Sequence, residues 1–292
     1  MTSSPSQCDD CYVLTIQCPD TIGIVAAVVT FLAEQNAFIT ESAQYGDPDT
    51  RRFFMRTVFK AGATEPLSRD VIYNGFSGLA DQFDMAWDLF GSQEKVKTVI
   101  AVSKFGHCLN DLLHRVKIGA APLDVTAVVS NHENFRDLVE WHEIPFHYLP
   151  VKAETKESQE DKLLEVISST ETELLVLARY MQILSAETCS KLPGRVINIH
   201  HSFLPGFKGA RPYHQAHARG VKIIGATAHY VTPDLDEGPI IEQAVERVDH
   251  TLSPDDLVLL GRDIESSVLS RAVLSYAERR VLLNGTKTVV FR

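Results

Sequence analysis

At 292 residues the chain has room for one large or two ordinary domains with proper cores. Its composition, 45% apolar and 23% charged, is that of a globular protein, and a formal charge of -10 speaks against a nucleic-acid surface, which needs a basic stripe. No run approaches the roughly 18 consecutive apolar residues of a spanning helix, so no membrane partner is expected.

The opening residues, MTSSPSQCDDCY, have neither a basic n-region nor an apolar h-region, and Asp9 and Asp10 argue against a transit peptide, so a cytoplasmic protein is expected. Five scattered cysteines fit reduced thiols better than a disulfide framework. Cys8 and Cys11 make a C-x-x-C, but no second pair accompanies it, so two reduced thiols are the expected state.

Tyr12 to Gln17 reads as a strand, and Cys18 to Thr21 as a turn whose Asp20 or Thr21 would cap the next helix. That helix, Ile22 to Asn36, carries Val25, Val28, Val29 and Leu32 on one side. Ile39 to Tyr45 and Phe53 to Phe59 read as strands joined by a Gly46-Asp47-Pro48-Asp49 turn, the second alternating aromatic and polar residues. Ser68 to Gln82 is a second helix and Met85 to Phe90 a last strand. The order βαββαβ predicts a ferredoxin-like antiparallel sheet with helices on one face, and the open face suits contact with a copy of itself, hence a homo-oligomer.

Ser92 to Lys95 is a polar joint, and domains are expected at 1–91 and 96–292. Beyond it, apolar runs at Lys97–Ser103, Val125–Val129 and Leu174–Leu177 alternate with helical stretches near Cys108–Val116, Phe135–His142, Leu163–Ser168 and Ala186–Leu192. The charged run Glu154 to Asp161 reads as a solvated loop and face. Strands over Val196–Ile199 and Ile223–Val231 and a long helix from Pro254 to about Arg280 complete a doubly wound, mostly parallel α/β domain, before a strand at Thr288–Phe291. The turn Ser103-Lys104-Phe105-Gly106-His107 lacks G-x-G-x-x-G and a Walker Gly-Lys-Ser/Thr, so no nucleotide is implied.

Asn198 and His200, at i and i+2 in an apolar strand, leave on one face, where a polar pair costs several kcal/mol unless hydrogen-bonded or used. A Pro/Gly-rich loop follows, then the second strand and an acidic turn with Asp234, Asp236 and Glu237. An amide, an imidazole and a carboxylate at the ends of adjacent strands can manage a proton and an oxyanion together. His201, His214, His217 and His229 enrich the neighbourhood, but their spacing matches no compact metal site, and no metal is expected.

Strand, Asn-x-His, Pro/Gly loop, strand and LDEG turn, preceded by LARYMQILS, together resemble the folate-dependent formyl transferases and hydrolases, over nearly the whole chain. His201 stands where the transferases usually carry proline, the hydrolase-like form. The resemblance implies Asn198, His200 and Asp236 as the catalytic trio and hydrolysis of 10-formyltetrahydrofolate to formate and tetrahydrofolate without a cofactor. It further implies folate along Met181, Gln182, Ile183 and Leu184 and against Val231, with Lys208 and Arg211 at the mouth of the pocket. Asn198 and a protonated His200 would donate to the oxyanion while Asp236 accepts the water proton. The turn CPDTIGI resembles the ACT domain, an amino-acid-binding regulatory module, which implies an effector near Asp20, Gly23 and Ile24, alongside a purely oligomerising role. A transferase of the same fold is the alternative. A transfer-RNA transferase would want a further basic domain, and a purine-pathway one a phosphate cradle at Ser103–His107, for which Lys104 and Phe105 are poorly suited.

Overall fold

Stretches rich in β-branched and aromatic residues between positions 11 and 91 become strands, with two amphipathic stretches between them as helices. The structure, a computed structural model, describes residues 11–62, 67–151, 156–204 and 212–292. The chain divides into two units, one of residues up to Glu94 with Glu278–Asn284 and Val289–Arg292, the other of Lys95–Ala277 with Gly285–Thr288. The long C-terminal stretch expected to belong wholly to the second domain thus gives its last residues to the first.

In the first unit β1 (Cys11–Pro19), α1 (Ile24–Glu34), β2 (Ala37–Asp47), β3 (Arg52–Ala61), α2 (Arg69–Gln82) and β4 (Ala86–Gly91) follow the expected βαββαβ order. The sheet runs β2-β3-β1-β4, antiparallel throughout. Ile24, Val28 and Leu32 of α1 and Ile72, Phe76 and Ala80 of α2, each set at i, i+4 and i+8, pack on Leu14, Ile16, Met55 and Phe59 of the sheet. Neither Asp20 nor Thr21 caps α1. The N-cap is Gly23, at φ 97 and without a side-chain bond, a conformation that glycine adopts freely.

The expected alternation along β3 fails, because Phe53 to Thr57 are all buried. The reason is the return of the chain after the last long helix. Leu282 and Phe291 cover Phe54 on the face away from the helices, Arg56 donates to the Glu278 carbonyl and pairs with Glu41 at 2.6 Å, and Asn284 donates to Asp47. Phe291→Ala is expected to cost about 3 to 5 kcal/mol, as emptying a buried aromatic site does. Denaturant unfolding of the full chain should show that loss in the first unit, with turnover within twofold of wild type.

The second unit contains β5 (Val96–Val102), α3 (His107–Lys117), β6 (Leu123–Ser130), α4 (Arg136–Trp141), β7 (Phe146–Tyr148), α5 (Lys156–Ser169), β8 (Leu174–Leu177), α6 (Ala186–Lys191), β9 (Val196–His200), α7 (Pro212–Ala218), β10 (Ile223–Tyr230), β11 (Ile240–Arg247) and α8 (Pro254–Ala277). A hairpin of β12 (Val281–Asn284) and β13 (Lys287–Val290) ends the chain. The large sheet runs β11-β10-β9-β8-β5-β6-β7, parallel from β9 to β7, with β10 and β11 antiparallel at one edge. From β5 the chain winds first towards β7 and then back through β8 towards β11. The strand order therefore reverses between β5 and β8, which defines the crevice at their carboxyl ends.

The charged run around Asp161 is not simply a solvated face. It lies in α5, where Gln159 and Glu160 are buried.

Candidate active site

β9 is apolar enough to be buried, and its pleat sends Ile197 and Ile199 to one face and Asn198 and His200 to the other. β10 lies antiparallel beside it, pairing His229 with Asn198 and Thr227 with His200, so all these side chains share one face. That direction corrects the expectation that the acid arrives simply at the neighbouring strand's end, because β10 finishes beside the start of β9.

The chain after β10 instead doubles back. Tyr230 N–H donates to Pro239 C=O and Val231 N–H to Val196 C=O, both at 2.9 Å. The turn is tight enough that a Cβ on Gly238 would stand 1.8 Å from the Tyr230 oxygen, so only glycine fits. Asp236 takes a left-handed conformation at φ 58, which aspartate tolerates better than most residues, and its carboxylate meets the paired strands.

The contacts form one chain of groups. Asp236 Oδ2 lies 3.2 Å from His200 Nδ1, Asp236 Oδ1 lies 3.6 Å from His229 Nε2, and Asn198 Nδ2 is 3.3 Å from that same His229 nitrogen. His200 Nε2 is 2.8 Å from the Ser202 hydroxyl, and the His201 ring stacks on His200 at 4.9 Å between centroids. The partners set the tautomers. His229 Nδ1 sits 2.8 Å from the Tyr230 carbonyl, which only accepts, so Nδ1 carries the proton and Nε2 accepts from the Asn198 amide. His200 Nδ1 faces a carboxylate and donates to it, leaving Nε2 for exchange.

The bond from His200 Nδ1 holds the Asp236 carboxyl well below the usual range against burial, which pushes it up. Asp236 is therefore an anion near neutral pH.

Sequence reasoning named Asn198, His200 and Asp236 but missed His229, through which Asn198 joins the others. The signal existed, since Thr227 and His229 repeat the i, i+2 polar pattern of β9 in another apolar strand. His214 and His217 are exposed on α7 and take no part in these contacts.

The segment after β8 is pinned from below. Gln159 donates to the Tyr180 hydroxyl at 2.7 Å, and Ser103 Oγ accepts from Met181 N–H at 3.0 Å. Glu160 accepts from Ser185 N–H at 3.1 Å, from its hydroxyl and from that of Thr188. Met181 and Ile183 are left exposed, 53% and 59%, and Gln182 half-buried. Leu184, expected as a wall residue, instead packs into the core beneath, where Val231 also rests. Ile24, expected beside an effector, is core as well, so only its backbone faces the α1 N-terminus. Lys208, Arg211 and Cys8 lie outside the described residues.

Residues 96–273 match the formyl transferase family. A formyltetrahydrofolate deformylase from Corynebacterium sp. (strain P-1) is 53% identical over 281 residues, covering 96% of this chain and 98% of that one. The crystal structure of a formyltetrahydrofolate deformylase from Burkholderia mallei ATCC 23344 superposes with a TM-score of 0.93 at 50% identity, over 97% of this chain and 100% of the other. A glycinamide ribonucleotide transformylase from Symbiobacterium toebii superposes at 0.65 with 26% identity, over 70% and 98%.

Proposed function

We infer the mechanism from one premise, that this chain belongs to the formyl transferase family and, within it, to the formyltetrahydrofolate deformylases. The enzyme hydrolyses 10-formyltetrahydrofolate to formate and tetrahydrofolate.

Water oxygen bonds to the formyl carbon, the carbonyl electrons move to oxygen, and the tetrahedral intermediate then breaks its bond to N10 as N10 takes a proton. Asn198 gives one amide hydrogen to His229 and keeps the other for the developing oxyanion. Asp236, already ionised, accepts a hydrogen bond from the attacking water and balances the charge on His200 as that ring takes the proton. His200 Nε2, now on Ser202, is the nitrogen that receives the proton and delivers it to N10. The observation that carries this reading is Asp236 bonded to His200 Nδ1, with Asn198 held by His229 on the same face beside them. It departs from the sequence reading in two respects: so weak a base as Asp236 orients the water rather than keeping its proton, and His200 starts neutral and takes that proton rather than donating to the oxyanion as a cation. Incubation with 10-formyltetrahydrofolate and no amine should give stoichiometric formate, and turnover only with an added amine would overturn the reading.

Folate is proposed to lie on Met181–Ile183 and against Val231, supported by two exposed apolar side chains on a backbone held by buried bonds. Glu160→Ala is expected to raise KM about tenfold, equivalent to ~1.4 kcal/mol, with kcat within threefold. Steady-state kinetics check this, and an unchanged KM would detach the anchor from binding. No cofactor is proposed, since water, Asn198, His200 and Asp236 complete the proton balance.

The first unit is proposed to join copies of the chain and to take a small amino acid at the α1 N-terminus. There Gly23 leaves the first N–H groups uncovered by any side-chain cap. Equilibrium dialysis with glycine and methionine, beside sedimentation, tests both roles. A cytoplasmic setting is proposed from Cys18, Cys108 and Cys189, all buried free thiols. Among the described residues no helix is long and apolar enough to cross a membrane.

A further inference from the structure

A second group of ionisable side chains is buried in the same unit and has no part in the chemistry above. Glu265 of α8, about 1% exposed, accepts from the Tyr213 hydroxyl at 2.7 Å, and its Oε2 faces His107 Nε2 at 2.7 Å and Arg179 Nε at 3.3 Å. Burial pushes the Glu265 carboxyl up, but His107, Arg179 and Tyr213 together outweigh it and hold the group ionised. Outside them lies Phe105, whose ring centroid is 5.8 Å from the Arg179 guanidinium and 5.4 Å from that of Arg262.

The donor atoms of His107, Cys108 and Glu265 lie within 4.8 Å of one another, which invites a metal. A guanidinium on the same carboxylate oxygen opposes a second cation, and burial keeps the Cys108 thiol protonated. The group is an ion network, in which Arg179 Nε meets Glu265 as an ion pair without a hydrogen bond.

Its position gives it a use. Phe105 and His107 follow β5, Arg179 follows β8 and Tyr213 opens α7 after β9. Ala101 pairs with Leu177 and Leu177 with Asn198, and Ser103 N–H donates to the Arg179 carbonyl, so positions 103, 179 and 200 form the next row across β5, β8 and β9. The network therefore lies at the crevice where the strand order reverses, the place an open α/β sheet ordinarily offers a ligand. Arg179 even holds a left-handed backbone at φ 63, a conformation that costs of order 1–3 kcal/mol for such a residue and persists only where its surroundings enforce it.

Leu184 and Val231, the floor of the folate site as read above, pack with Leu175, Leu177 and Val196 on the α5–α6 side of the sheet. A second substrate would have to reach the formyl carbon over the edge at β5 and β8. We propose that the Arg179–Glu265–His107–Tyr213 network, covered by Phe105, is the specificity element that reserves the formyl group for water by occupying the room an amine-bearing acceptor needs. The proposal rests on the hydrolase reading. In transfer the amine nitrogen bonds to the formyl carbon, the bond to N10 breaks, and N10 takes the proton the amine gives up. Hydrolysis differs only in its nucleophile, and water, at about 30 Å³, needs no such room.

Arg179→Gly opens the network while suiting the left-handed backbone. With 10-formyltetrahydrofolate and increasing glycinamide, mass spectrometry of formate and N-formylglycinamide should show formate alone from the wild type. The variant should keep releasing formate and yield formylamide about tenfold or more above the wild-type level, in proportion to amine. Formate alone from a folded, hydrolysing Arg179→Gly overturns the proposal. If that variant does not fold, Phe105→Ala, which leaves the ion network and removes its cover, decides by the same readout. Formate release from the wild type without amine, run in parallel, tests the hydrolase reading separately.

Discussion

Asp236→Asn is expected to lower kcat by about 10³- to 10⁴-fold, as happens when the acid that orients a catalytic imidazole becomes its amide. Asp236 Oδ2 accepts the proton of His200 Nδ1, whereas an amide at that place either offers N–H to it or accepts without charge. His200 then loses both its preferred tautomer and the charge that would balance its cation. Folate affinity should stay within a few fold, because the proposed folate contacts lie on other residues. Single-turnover formate release together with equilibrium binding separates these effects, and retained turnover would remove Asp236 from the mechanism.

Asn198→Ala should cost about 10²- to 10³-fold in kcat, the loss typical of one oxyanion donor. His229→Phe should cost less, about tenfold, since its Nε2 acts on the reaction through the amide it holds. The double variant is the sharper measurement. If His229 works through Asn198, the pair should lose little beyond Asn198→Ala alone, whereas additive losses would give His229 an independent role.

Much of this site could be read before any coordinates, because polar side chains two apart in an apolar strand have few structural reasons to be there. Asn198 and His200 were legible on that ground, and Asp236 through the family pattern around it. His229 was equally visible as a letter but not as a partner. Its place opposite Asn198 depends on β10 running antiparallel to β9, and strand direction is set by long-range pairing rather than by local pattern.

The other differences share that origin. β3 lost its alternation because a distant segment covers its second face, and Glu160 in a charged run became a buried anchor because Ser185 and Thr188 approach it from another element. The α1 cap failed locally, where a glycine at positive φ replaced the side-chain oxygen that composition suggested.

The shared use of residues 278–292 also orders events during synthesis. Phe54 and Arg56 are translated early, whereas Leu282, Asn284 and Phe291, which shield that side of the sheet, emerge only after all of β5 to α8 has been made. The first unit therefore waits for the rest of the chain with an apolar surface uncovered, a state prone to sticking to neighbouring nascent chains. Early release of a shortened polypeptide would leave it in that condition permanently.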